Sequence, residues 1–138
     1  MKVIVDTCVW SLSLRRQNKS RSSPAEQQML TQLREAIRDR RVAMIGPIRQ
    51  EVLSGIRDKE QFAITRELLD PFRNEEITDG DYVEAARLFN LCRGQGVECG
   101  PVDILICAVA VRMRYGILTS DTGLNRCIEV LRGVGHLL

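Results

Sequence analysis

Four acidic residues stand out by where they fall: Asp6, Glu51, Asp103 and Asp121. Each has an ordinary structural explanation. Asp6 and Asp121 can cap the helices that follow them by accepting backbone amides. Asp103 falls in the first turn of a helix opened by Pro101, where an acid complements the helix dipole. Glu51 can be a surface glutamate paired with Arg49 or Arg57. Their surroundings raise a second possibility. The helical face of Asp103 continues through Ile106, Cys107 and Ala110, which are apolar or small, so the acid would stand at the rim of the core. Glu51 is flanked by Ile48 and Val52, and its own face leads to Gly55, which would leave an open groove. Several carboxylates gathered at one rim repel one another strongly where the dielectric is low. Such a cluster makes sense around a divalent cation, and an all-oxygen set suits Mg2+ or Mn2+. A cation of that kind polarises a phosphoryl oxygen and turns a bound water into a nucleophile for phosphorus.

The elements that must position these acids follow from hydrophobic patterning. Residues 2–5 read as a short buried strand that ends at Asp6, and residues 7–14 as a helix with Val9, Leu12 and Trp10 facing inward. Ser23, Pro24 and Glu26 form a capping-box start for a helix to about Asp39, with Met29, Leu33, Ala36 and Ile37 at helical spacing. VAMIG (42–46) is a second buried strand, and Pro47 opens a helix to about Gly55. A helix over 59–69 stops before Pro71. EEI (75–77) is a candidate short strand, and Asp79 or Asp81 a candidate cap for a helix to about Arg93. After the glycine-punctuated loop 93–100, Pro101 starts a helix to about Tyr115, with Gly116 as its terminating glycine. ILTS (117–120) is a strand, and Asp121 caps a last helix to about Leu131. Short apolar strands alternating with helices predict an α/β fold, a mainly parallel sheet between two helical layers. Ligands of such sheets bind beyond the carboxyl ends of the strands, where Asp6 and Asp121 would lie.

Composition narrows the classes. At 138 residues, 44% hydrophobic and 28% charged, the chain reads as one soluble domain spanning 1–138. No apolar stretch reaches membrane-spanning length, and the N-terminus lacks the pattern of a signal peptide, so a cytoplasmic location is expected. The five cysteines (Cys8, Cys92, Cys99, Cys107 and Cys127) include no CxxC, and the one histidine, His136, excludes zinc-finger spacing. They are expected to be reduced, buried or inert thiols. The net charge of +2 is too small to argue for nucleic acid by itself. A basic loop, 14–23, carries Arg15, Arg16, Lys19 and Arg21, which would either guide a phosphate backbone or be solvated. With aromatics at 4%, extensive base stacking is not expected.

VDTCVW (5–10), RQEVLSG (49–55), CGPVDILICAVA (99–110) and ILTSDTGL (117–124) resemble the four acidic motifs of PIN domains, in the same order and over nearly the whole chain. Within that family the chain resembles VapC-type toxins of bacterial toxin–antitoxin pairs. The resemblance implies a PIN-like three-layer α/β/α sandwich and an Mg2+- or Mn2+-dependent endoribonuclease. Asp6, Asp103 and Asp121 would surround the metal, and Glu51 would ligate it directly or through water. Thr119 matches the hydroxyl position of the family's T-x-D motif, although a β-branched residue ending a strand is as ordinary a reading. The resemblance also implies an RNA substrate, an antitoxin partner and a homodimer. One departure is visible: Gly123 and Leu124 stand where relatives often carry a second acid and an aromatic.

Rival readings fare less well. A haloacid-dehalogenase-type phosphatase needs a second acid two residues after the first, where this chain has Cys8. A receiver domain needs paired acids after its first strand and a late lysine, and the lysines are Lys2, Lys19 and Lys59. No Walker-type phosphate loop is present. The remaining alternative is a PIN-like binding or scaffolding module whose acidic site is catalytically idle.

Overall fold

A computed structural model describes residues 1–15 and 22–136 of the chain. Eleven elements follow one another: β1 (Val3–Val5), α1 (Thr7–Leu14), α2 (Pro24–Arg38), β2 (Val42–Ile45), α3 (Gly46–Ser54), α4 (Lys59–Leu69), β3 (Asn74–Glu75), α5 (Asp79–Gly94), α6 (Pro101–Met113), β4 (Gly116–Leu118) and α7 (Thr122–Gly133). The strands form one sheet in the order β3-β2-β1-β4, with every pairing parallel. Val3 stands opposite both Val42 and Gly116, so β1 lies inside the sheet. Helices α1 to α4 pack among themselves, as do α5 to α7, which gives the sheet its two covering layers.

This strand order has a consequence for function. The chain steps outward from β1 to β2 to β3, then returns across the sheet to place β4 on the other side of β1. The reversal opens a crevice at the carboxyl ends of β1 and β4, the usual ligand position in sheets of this kind. The amide of Asp6 donates to the carbonyl of Leu118 at 3.0 Å, which ties those two strand ends together.

The core explains why the elements hold. Ile4, Val5, Ala43, Met44 and Ile45 of the inner strands are buried, as a sheet covered on both faces requires. Helix α6 is buried on nearly every side from Ile104 to Ala110, so its apolar run DILICAVA passes through the interior and leaves only its first and last turns near solvent. Its far end is fixed by Arg112, which donates to both carboxylate oxygens of Asp81 at 2.7 and 2.8 Å. That guanidinium is the main reason the Asp81 carboxyl lies below the usual range.

Several expectations shift in detail. The capping box of α2 stands as read, with Ser23 and Glu26 bonded reciprocally. The cap of α5 is Thr78, with Asp81 as its reciprocal partner; a hydroxyl one residue outside the helix outcompetes the acids within it. Helix α6 ends on Arg114 in the left-handed conformation (φ 58°), and Gly116 begins β4, where it pairs with Val3. Strand β3 is Asn74–Glu75, and β4 stops at Leu118. Ile37 is 40% exposed, on the outer side of α2. The cysteines are not all reduced: Cys99 and Cys127 form a disulfide, because the turn before α6 and the buried face of α7 bring their Cα atoms to 6.2 Å. Cys92 and Cys107 are buried thiols as expected, and burial pushes Cys107 up to about 12. Of the basic loop, Arg16, Lys19 and Arg21 lie outside the described residues; Arg15 is exposed and donates to the carbonyl of Ser11.

Candidate active site

Asp6 both caps α1 and lines an open cleft. Its backbone leaves β1 extended (φ −69°, ψ 158°), and one carboxylate oxygen, Oδ1, accepts the amide of Thr7 at 2.8 Å. The other, Oδ2, accepts the Thr119 hydroxyl at 2.7 Å and lies 3.4 Å from Cys8 Sγ. The side chain is 5% exposed, so these donors replace the water it has lost. Thr119 in turn accepts the Asp121 amide at 3.0 Å. A single hydroxyl therefore joins the acid after β1 to the acid after β4.

Asp121 caps α7 by accepting the Leu124 amide at 2.8 Å. Gly123 has a spatial reason: a Cβ there would stand 3.1 Å from Asp121 Oδ2, tighter than most real contacts. A side chain there requires the capping carboxylate to give by a few tenths of an ångström. Leu124 is fully buried, filling the core where relatives often have an aromatic.

Glu51 is exposed on α3, and its partner is not an arginine. Thr7 donates its hydroxyl to Glu51 Oε1 at 2.7 Å. Arg49 is occupied elsewhere: it donates to Asn74 Oδ1 at 3.0 Å and to the carbonyls of Leu69 and Phe72, tying down the turn after α4. Thr7 is the residue sequence reasoning missed. Its only signal was a hydroxyl adjacent to Asp6, and nothing in the chain order says that it reaches across to α3.

Asp103 lies in the first turn of α6, beside Gly100. Its carboxyl is raised to about 6, chiefly by burial and then by the charges of Asp6, Asp121 and Glu51. All three other acids thus act on this one group. The four carboxylates line one open cleft of about 670 Å3, together with Thr7, Cys8, Gln50 and Ser54 among others. Among the described residues, no lysine, arginine or histidine lines it. Gly55 also lines this cleft, the open end of the groove expected beyond Glu51. Among the described residues, no group of three or more His, Cys, Asp or Glu side chains is arranged to hold a metal ion as it stands.

The family model of the PIN domain matches residues 3–129, which takes in all four acids. The chain belongs to the PIN domain family. PIN domains are generally nucleases, and their members typically use divalent metals. Among solved structures, the PIN fold here is similar to one described as the crystal structure of FitAcB from Neisseria gonorrhoeae, at 19% identity, 91% coverage of each chain and a TM-score of 0.70. No curated protein matches the sequence.

The shared field of this PIN site predicts a pH signature. The Asp103 carboxyl binds its proton more tightly in the folded chain, at about 6 against an ordinary 3.8. Its contribution should therefore be neutral below about pH 4 and grow unfavourable as pH rises towards 6. At this partly solvated rim we expect about 1–2 kcal/mol by pH 7, after allowance for screening. Asp103→Asn keeps the shape and removes the charge. In chelator, urea unfolding should show the variant gaining on the parent as pH rises from 4 to 7. A difference that is flat with pH, or that favours the parent at pH 7, would show that the acids act as separate caps.

Proposed function

We propose that the protein is a metal-dependent endoribonuclease, the toxin component of a type II toxin–antitoxin pair. The observation that carries this reading is the convergence of the family's four acidic positions on one open cleft that, among the described residues, is lined by no basic group. A phosphodiester backbone cannot approach four carboxylates unaided; a cation must offset the like charge. Asp6, Asp103 and Asp121, with Glu51, would hold Mg2+ or Mn2+, and the retained waters typical of these ions suit a cleft with no closed cage. When bound, that ion supplies a polarised phosphoryl oxygen and an acidified water.

The chain's own residues contribute orientation. Thr119 and the Thr7 amide hold both oxygens of Asp6, so this carboxylate keeps one pose. The Thr7 hydroxyl donates to Glu51 and so orients one oxygen of this exposed carboxylate. The openness of the cleft suits a polymer crossing the surface better than an enclosed small molecule. Exposed Arg15, at the start of the basic segment, is one source of backbone affinity. In an antitoxin complex, an arginine fork inserted among the acids would meet the same charge requirement and explain inhibition. Ile64 and Leu68, one turn apart on α4 and 45% and 56% exposed, offer apolar surface for a second copy. A cytoplasmic location belongs to this reading, because the RNA it would cut is there. No helix among the described residues is long and apolar enough to cross a membrane.

The test uses purified protein and a structured RNA. Cleavage should require Mg2+ or Mn2+, stop on adding EDTA, and fall by about two orders of magnitude or more in a folded Asp6→Asn variant. Cleavage that survives chelation would exclude the mechanism. A folded parent that binds RNA but never cuts it would favour the idle binding module. Light scattering at micromolar concentration should report a dimer, and a strictly monomeric species would remove that part of the reading.

A further inference from the structure

The Cys99–Cys127 disulfide sits at a particular place in the fold. Cys99 is the residue before Gly100, the cap of α6, and four residues before Asp103. Cys127 lies on α7, six residues after Asp121. The bond therefore joins the two helices whose starts carry Asp103 and Asp121.

The start of α6 depends on it for a second reason. Helices α1, α2, α4, α5 and α7 each have a side-chain cap, whereas α3 and α6 begin without one, α6 on Gly100, which has no side chain to supply it. The approach to it is also lightly held. The Val97 amide bonds back to Cys92, and the next backbone bond from a later residue is Ile104 to Gly100. Between these, a covalent link to α7 replaces the missing cap as the anchor of the turn that bears Asp103.

We propose that the Cys99–Cys127 disulfide is a redox-sensitive clamp on the acidic cleft, holding the first turn of α6 against α7 when oxidised and freeing it when reduced. The reductant is a dithiol. Its thiolate attacks the Sγ of Cys99, the less deeply buried residue of the pair at 5% exposure against 0% for Cys127. Cys127 leaves as a thiolate and is protonated. The second thiol of the reductant then displaces Cys99, so two electrons and two protons pass to the protein and the dithiol becomes a disulfide. Burial makes local opening of the 93–100 loop the step that admits the reductant.

The experiment compares the full chain oxidised, reduced by dithiothreitol, and reoxidised. Alkylation of unfolded protein should count three free thiols when oxidised (Cys8, Cys92 and Cys107) and five when reduced. On reduction, amide exchange over residues 102–105 should speed by about tenfold or more. The thermal midpoint should fall by about 10 °C for a loop of this length. Affinity for Mn2+ by calorimetry should weaken about tenfold, and reoxidation should restore it. A Cys99→Ser/Cys127→Ser double variant should behave as the reduced form under both conditions. Five alkylatable thiols in the oxidised preparation would overturn the clamp, as would equal exchange in the two forms. Faster exchange with unchanged Mn2+ affinity would also overturn it, by showing that the bond does not reach the site. The Mn2+ measurement rests on the nuclease reading. Should the oxidised protein bind no Mn2+, that reading fails, and exchange at the start of α6 alone judges the clamp.

Discussion

The mutual repulsion of four carboxylates is the constraint around which the rest of the molecule is arranged. A chain gains nothing in stability by bringing Asp6, Glu51, Asp103 and Asp121 to one cleft, and the Asp103 carboxyl, raised first by burial and then by the other three acids, carries part of that cost. The fold tolerates it by giving three of the acids local employment. Asp6 and Asp121 satisfy the amides of Thr7 and Leu124 as helix caps, and Thr119 links the two. Glu51 takes the Thr7 hydroxyl. Asp103 accepts no hydrogen bond of this kind among the described residues, and burial together with the charges of the other three acids raises its carboxyl to about 6.

Cap and site are therefore not competing explanations. A helix that starts at the carboxyl end of a parallel strand needs an oxygen to receive its free amides, and the crevice where strand order reverses is where a ligand enters. Asp6 meets both demands because β1 is the strand from which the chain departs in both directions. The buried run of α6 serves the same end from below. With Ile104 to Ala110 locked in the interior, only the first turn projects towards the crevice, and Asp103 is on it.

Much of this could be read from the chain before its structure. Alternating short strands and helices gave the parallel sheet, and strand-terminal acids pointed to the crevice. Three things escaped such reading. Pairing across the sequence is invisible to local pattern: Thr7 to Glu51 spans 44 residues, and Cys99 to Cys127 spans 28. Odd cysteine number and the absence of CxxC argued for free thiols, yet a disulfide needs only two Cα atoms at the right separation. Competition among neighbouring caps was also unresolved, as Thr78, Asp79 and Asp81 are all competent and only geometry selects Thr78. Gly123 looked like a loss at the fourth motif; in the folded chain it stands beside the capping carboxylate, where an added Cβ would lie 3.1 Å from Asp121 Oδ2.

The central claim is that these carboxylates share one electrostatic field. Carbon-13 NMR titration of the aspartate side chains in metal-free protein tests it directly. Asp103 should titrate near 6. In an Asp6→Asn variant it should move down, though not to the ordinary value, because burial is the larger cause. An Asp103 that titrates like an isolated aspartate, or one whose midpoint is indifferent to Asp6→Asn, would contradict the shared site.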